Sequence, residues 1–276
     1  MNASSPALVL CELHDSGIPG LESFSPFCLK VHRALKLAGL PYTRRHGAMP
    51  RDFRAHNPTG QVPVLLVGDE AVCDSTRIVE RIDALSGGAL SGRLDPAARG
   101  EAWLWEEMAD ASLGGFLVAA RWADDRNWPL VAEAFFGGGR APWFVRTVIA
   151  PRIRARIVGG LVARDVWRAG ADACWSRFLA TLNHLDARAP EAGFWLGAAP
   201  TIADVAIFAQ LHSMRTHLTR FQADQIALRG RLAAYLDRVD AATAERPAAS
   251  LTPATPPSAR RTARAPIASS AAPPVS

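Results

Sequence analysis

The chain has 276 residues, 49% of them apolar and 21% charged, a balance that excludes wholesale disorder and allows a sizeable buried core. Its net charge of +5 includes Arg260, Arg261 and Arg264 in a tail without acidic residues, leaving +2 over residues 1–246, too little concentrated charge for nucleic acid to be an expected partner. The four cysteines, at 11, 28, 73 and 174, form no Cys-x-x-Cys pair and no zinc spacing, so neither a disulfide framework nor a metal site is expected.

Lysine occurs only at Lys30 and Lys36, and arginine and alanine are abundant; we read this as the codon bias of a GC-rich, bacterial genome. No basic segment precedes a signal-length apolar core, and no window reaches roughly 18 uninterrupted apolar residues. The expected location is cytoplasmic, without stable membrane insertion.

In chain order, ALVLCEL (7–13) reads as a short buried strand and 14–24 as a loop of turn formers. Leu29, Val31, Ala34, Leu35 and Ala38 recur at helical spacing, with Gly39 and Pro41 as the stop. An extended segment near 42–45 follows, then two apolar runs joined by Gly68-Asp69, a hairpin signal. TRIVERIDALSGG is expected to form a helix closed by paired glycines. Strand, helix, strand, hairpin, helix is the layout of a thioredoxin-like domain, assigned to 7–86, with a linker over 87–97. From there only helical patterns remain, so an all-helical domain is expected over 98–246. Residues 247–276, mainly Pro, Ala and Ser, are expected to be disordered.

Ser25-Pro26 at the strand-to-helix junction reads as an N-cap followed by a proline at the first helical position. An N-cap hydroxyl also lies beside unpaired N–H groups and the positive end of the helix dipole, where a thiolate is stabilised. Three motifs make the pattern specific. Ser25-Pro26-Phe27, then Asn57-Pro58-Thr59-Gly60-Gln61-Val62-Pro63-Val64-Leu65, then Asp74-Ser75, resemble in order the SPF start of helix 1, the NPxGxVPxL stretch and the acidic-serine pair of serine-type glutathione transferases. The likeness covers most of residues 7–243. Trp195-Leu196-Gly197 and Pro200 to Ala206 resemble the start of that family's helix 6, where Thr201 and Asp204 follow capping-box logic and carry no chemistry.

The resemblance implies an N-terminal thioredoxin-like domain followed by a helical glutathione transferase-type domain, with glutathione as co-substrate. It implies that Ser25 hydrogen-bonds the glutathione sulfur, that the peptide before Pro63 is cis, and that the Val62 main chain pairs with the cysteinyl backbone. Ser75, expected as N-cap of the following helix, would receive the γ-glutamyl carboxylate, Asp74 the ammonium group, and Gln61 the glycyl end. The partners implied are glutathione, a small apolar electrophile and a second copy of the chain in a homodimer.

The long 14–24 loop, Arg77 and Arg81 in the motif's helix, and the segment 121–160 depart from the common pattern and resemble the branch related to failed axon connections and metaxin proteins. A non-catalytic binding or adaptor protein, and a glutathione-dependent reductase or dehalogenase, therefore stay open beside conjugation. Within that segment, the arginines at 140, 146, 152, 154 and 156 alternate with apolar residues, while Pro142, Pro151 and Gly159-Gly160 interrupt the pattern; a solvated connection between helices is expected. Cys28, one turn into the first helix, is expected to be a buried structural thiol.

Overall fold

The computed structural model describes residues 6–137, 142–163, 166–244 and 249–250. The first layer is a mixed sheet in the order β4-β3-β1-β2-β5. Strand β1 (Leu8–Leu13) pairs parallel with β2 (Thr43–Gly47) across helix α1 (Pro26–Leu37), and antiparallel with β3 (Val64–Val67). The hairpin β3-β4 (Glu70–Cys73) turns at Gly68, where φ is +60°, and leads to α2 (Ser75–Leu85). This βαβ-ββα order is the expected thioredoxin-like layer.

Helix α1 begins as its sequence dictates, with the Ser25 hydroxyl accepting from Cys28 N at 3.3 Å and Pro26 in the first turn. Helix α2 ends before Gly87 and Gly88, both at positive φ. Its start differs from expectation: Asp74, not Ser75, is the N-cap, its Oδ1 accepting from Thr76 N (3.0 Å) and Arg77 N (3.3 Å), and Ser75 is the first helical residue. Both residue types cap helices; the choice is made by Asp74 sitting at φ +76°, which no local pattern discloses.

The second layer is helical. Helix α3 (Pro96–Met108) continues through a π-helical turn (Ala109–Leu113), α4 (Gly114–Val118) and a second π turn (Ala119–Ala123). Then come α5 (Trp128–Phe136), a third π turn (Val145–Ile149), α6 (Ala150–Ala163), α7 (Gly170–Arg188), α8 (Ile202–His212), α9 (Arg220–Ala227) and α10 (Gly230–Ala244). Residues 145–163 are thus helical and not a connection. Pro151 falls at the junction with the preceding π turn, where the regular i→i−4 ladder is already interrupted and a missing N–H is accommodated. Arg140 and residues 251–276 lie outside the described residues, so the expectations for them stand apart from the fold; Ala249–Ser250 pair parallel with β2 as β5.

The helical core centres on Phe116, Phe178, Phe208 and Tyr235. The sheet domain's core, with Val31, Leu35, Ile78 and Ile82, runs on into Ile202, Ala203 and Val205 of α8. Asp204 accepts from Thr201 N and Trp195 N, each at 2.7 Å, and from Tyr235 OH at 2.7 Å, the expected structural role. Two buried cations join the layers. Arg33 reaches Glu22 (3.1 Å) and Asp240 (2.6 Å), and Lys30 reaches Glu106 (2.9 Å) and Asp110. Glu12, buried in β1, hydrogen-bonds His32 at 2.9 Å and accepts from Arg44 Nε. No helix among the described residues is long and apolar enough to cross a membrane.

Candidate functional site

A cleft of about 550 Å³ opens between the sheet and the helical layer. Five of the six candidate residues line it: Gln61, Val62, Pro63, Asp74 and Ser75. The loop that delivers the first three is pinned by Asn57, a buried side chain whose Nδ2 donates to Gln61 O at 2.9 Å and whose Oδ1 accepts from Thr59 N at 3.2 Å. Gly60, at φ +70°, makes the turn that a side chain would strain. The peptide between Val62 and Pro63 is cis, as the resemblance implies. Pro63 is buried, Val62 half-buried and Gln61 exposed.

Asp74 and Ser75 reach the cleft from the first turn of α2. The non-glycine positive φ at Asp74 is a sparsely populated conformation of the kind that clusters at ligand sites. Ser75 is buried against the helix start, where the macrodipole favours an anion.

Across the cleft stand Glu107 and Asp110, which the sequence patterns did not single out. Asp110 lies in the first π turn, held by Lys30 from α1 and by Gln210 Nε2 from α8 at 3.1 Å. Beside it, burial raises the Glu106 carboxyl above its ordinary value against the opposing pull of Lys30. No sequence signal places Asp110 here, because its approach depends on a helix register that periodicity does not reveal.

Ser25, the sixth candidate, does not line this cleft. It lines an adjoining pocket of about 250 Å³ with Phe24, Leu117, Arg121, Trp122 and Phe135. Phe27 borders both spaces and so forms the partition between them. The Phe24 and Phe135 rings lie tilted by 36° at 4.8 Å between centroids, and Trp122 meets Phe135 edge-on at 5.4 Å. Arg121 is 3% exposed. Its Nη1 donates to Phe24 O and its Nη2 to Ser213 O (2.9 Å), and burial pushes its pKa down to about 10. Cys28 is fully buried, and burial with the nearby Glu12 pushes its thiol far up, so it stays protonated.

A thioredoxin-like layer joined to a helical layer, with a cleft at the cis-proline loop and the capped start of α2, defines a two-domain fold of sheet-plus-helix and all-helical parts. The chain belongs to the glutathione S-transferase family: residues 24–85 match the model of its N-terminal domain and residues 166–238 that of its C-terminal domain. It is 26% identical over 218 residues to Failed axon connections of Drosophila melanogaster, covering 72% of this chain and 48% of that protein. It is 36% identical over 91 residues to glutathione transferase GST 23 of Zea mays, covering 31% and 41%. The chain thus spans less than half the length of these curated relatives. Among solved structures, it resembles beta-etherase LigF from Sphingobium at a TM-score of 0.60 and 21% identity, over 87% of this chain and 98% of that one. It also resembles a glutathione transferase family member from Pseudomonas fluorescens, solved with two glutathione molecules bound, at a TM-score of 0.54 and 18% identity over 84% and 88%.

Proposed function

We propose that the protein is a glutathione transferase that binds glutathione in the cleft and, with Ser25, favours its thiolate for attack on an apolar electrophile. The observation that carries this reading is the convergence of Gln61, Val62, Pro63, Asp74 and Ser75 on one cleft of about 550 Å³, within the range of about 300–1,000 Å³ typical of small-molecule sites. In this reading the Val62 main chain pairs with the cysteinyl backbone as an added strand would. Ser75 and the α2 N-terminus receive the γ-glutamyl carboxylate. Asp74, with Glu107 and Asp110 opposite, takes the ammonium group, and Gln61 meets the glycyl end.

The sulfur then points toward Phe27 and the start of α1. A free thiol titrates near about 8.5; a hydroxyl donor and the positive end of α1 lower that value and raise the reactive fraction near neutral pH. The thiolate forms the carbon–sulfur bond as the leaving group departs from the electrophile, which occupies the adjoining aromatic pocket. The reading includes a homodimer in the cytoplasm, and the oligomer is checked by light scattering on the purified protein.

One observation favours a second reading, a glutathione-binding scaffold with little catalysis: Ser25 lines the adjoining pocket and not the cleft itself. Retention on immobilised glutathione followed by a conjugation assay with an aromatic halide separates the two. Retention with turnover supports the transferase; retention without turnover supports the scaffold; no retention removes both. Reduction or dehalogenation would use the same thiolate, and product analysis with a hydroperoxide and a haloalkane tells them from conjugation.

A further inference from the structure

The pocket beside Ser25 is walled by Phe24, Phe27, Leu117, Trp122 and Phe135, yet its lining includes Arg121, a buried arginine. Its other buried counterpart, Arg33, is neutralised by Glu22 and Asp240. Arg121 is not: its hydrogen bonds run to the neutral carbonyls of Phe24 and Ser213, and its Nε has no partner among the described residues. No acidic side chain lines the pocket. A full positive charge in a low-dielectric, aromatic-walled space attracts an anion far more strongly than the same charge on a surface. The start of α1 at Ser25 adds the positive end of a helix dipole to the same wall.

We propose that this pocket binds an apolar, aromatic acceptor that carries a carboxylate, with Arg121 as its counter-charge. The aromatic walls suit a planar ring, the guanidinium fork suits a carboxylate, and a volume of about 250 Å³ restricts the ligand to one or two rings. This assignment deepens the transferase reading and rests on it, because it makes the pocket adjoining the cleft the acceptor site. The competing role for Arg121 is a pure tether between the Phe24 loop and the end of α8. A tether would lower stability on removal without setting any preference between charged and neutral ligands.

The experiment is a calorimetric titration of the full chain, saturated with glutathione, with 1-naphthoate and separately with its neutral isostere 1-naphthamide. The expected result is at least tenfold tighter binding of naphthoate; equal affinities overturn the proposal without any variant being needed. Arg121→Met is expected to bring the two affinities within about twofold, while Arg121→Lys, which retains a cation but not the fork, keeps only part of the preference. A folded Arg121→Met that retains the full preference also overturns it. Val118→Trp, which fills the same pocket, is expected to abolish naphthoate binding; if naphthoate binds it unchanged, the site lies elsewhere and the proposal fails. Glutathione is titrated first: if it does not bind while naphthoate still outcompetes naphthamide, the transferase reading fails and the anion pocket stands.

Discussion

The hydroxyl of Ser25 has a structural duty as well as the chemical one proposed for it, since it accepts from Cys28 N at the head of α1. Losing an N-cap hydroxyl costs about 1 kcal/mol, so Ser25→Ala is expected to lower the urea midpoint slightly and measurably. Its effect on turnover is larger, a fall of about 100–1,000-fold in kcat at near-constant glutathione affinity, of the size seen when one positioned donor is removed. Unchanged kcat with an aromatic halide removes the serine from the chemistry. Asp74 poses the opposite balance. Its positive φ costs on the order of 1–3 kcal/mol, and glycine in an N-cap position is only a few tenths of a kcal/mol worse than aspartate. Asp74→Gly is therefore expected to leave stability unchanged or raised while weakening glutathione about tenfold, read by thermal denaturation and calorimetry on the same sample. A large loss of stability contradicts the strain argument.

At the level of elements, the long loop between β1 and α1 is fastened by Glu22, which pairs with both Arg33 and Lys36. Burial alone would raise this carboxyl, but the Arg33 charge and the Lys36 hydrogen bond outweigh it and hold it down at about 2. A carboxyl depressed in the folded state stabilises above its unfolded value and loses that contribution as pH falls toward the folded one. Stability on the order of 2 kcal/mol is expected to disappear between about pH 4.5 and pH 2, followed by urea midpoints across that range. Glu22→Gln flattens that part of the profile; an unaltered slope assigns the acid sensitivity to other carboxyls. The same scale shows what the chain's own letters disclose. Ser25-Pro26 announced α1, and the paired glycines announced the end of α2, because caps and breakers act within a few residues. The helical run 145–163 was hidden by Pro151 and Gly159-Gly160, whose usual breaking effect is overridden once Ala150 and Leu161 are buried. Asp110 and Arg121 were illegible as site residues because each is brought to its cavity by packing between distant helices.

Across the whole molecule, the two layers share one continuous core through Ile202, Ala203 and Val205, and Lys30 and Arg33 of α1 are paired with carboxylates of the helical layer. A single calorimetric transition is expected, with calorimetric and van't Hoff enthalpies equal; two resolved transitions indicate that the layers melt independently. Glutathione at a hundredfold excess over its Kd is expected to raise stability by about 2.7 kcal/mol, moving that transition as one. The surface also bears an unusual region: Trp143, Phe144, Val148, Ile149 and Ile153 are exposed in a stretch, 142–163, that contains four arginines and no acidic residue.

Two of the three π turns among the described residues carry the polar residues that meet the cavities, Asp110 in Ala109–Leu113 and Arg121 in Ala119–Ala123. A π turn is an α-helix holding one surplus residue. Excising Ala111 or Ala119 should let the rod relax to ordinary winding, with the residues beyond the turn keeping their faces and only the bulge that re-aims Asp110 or Arg121 lost. A one-codon deletion can thus draw a single side chain away from its cavity while leaving that residue in the gene.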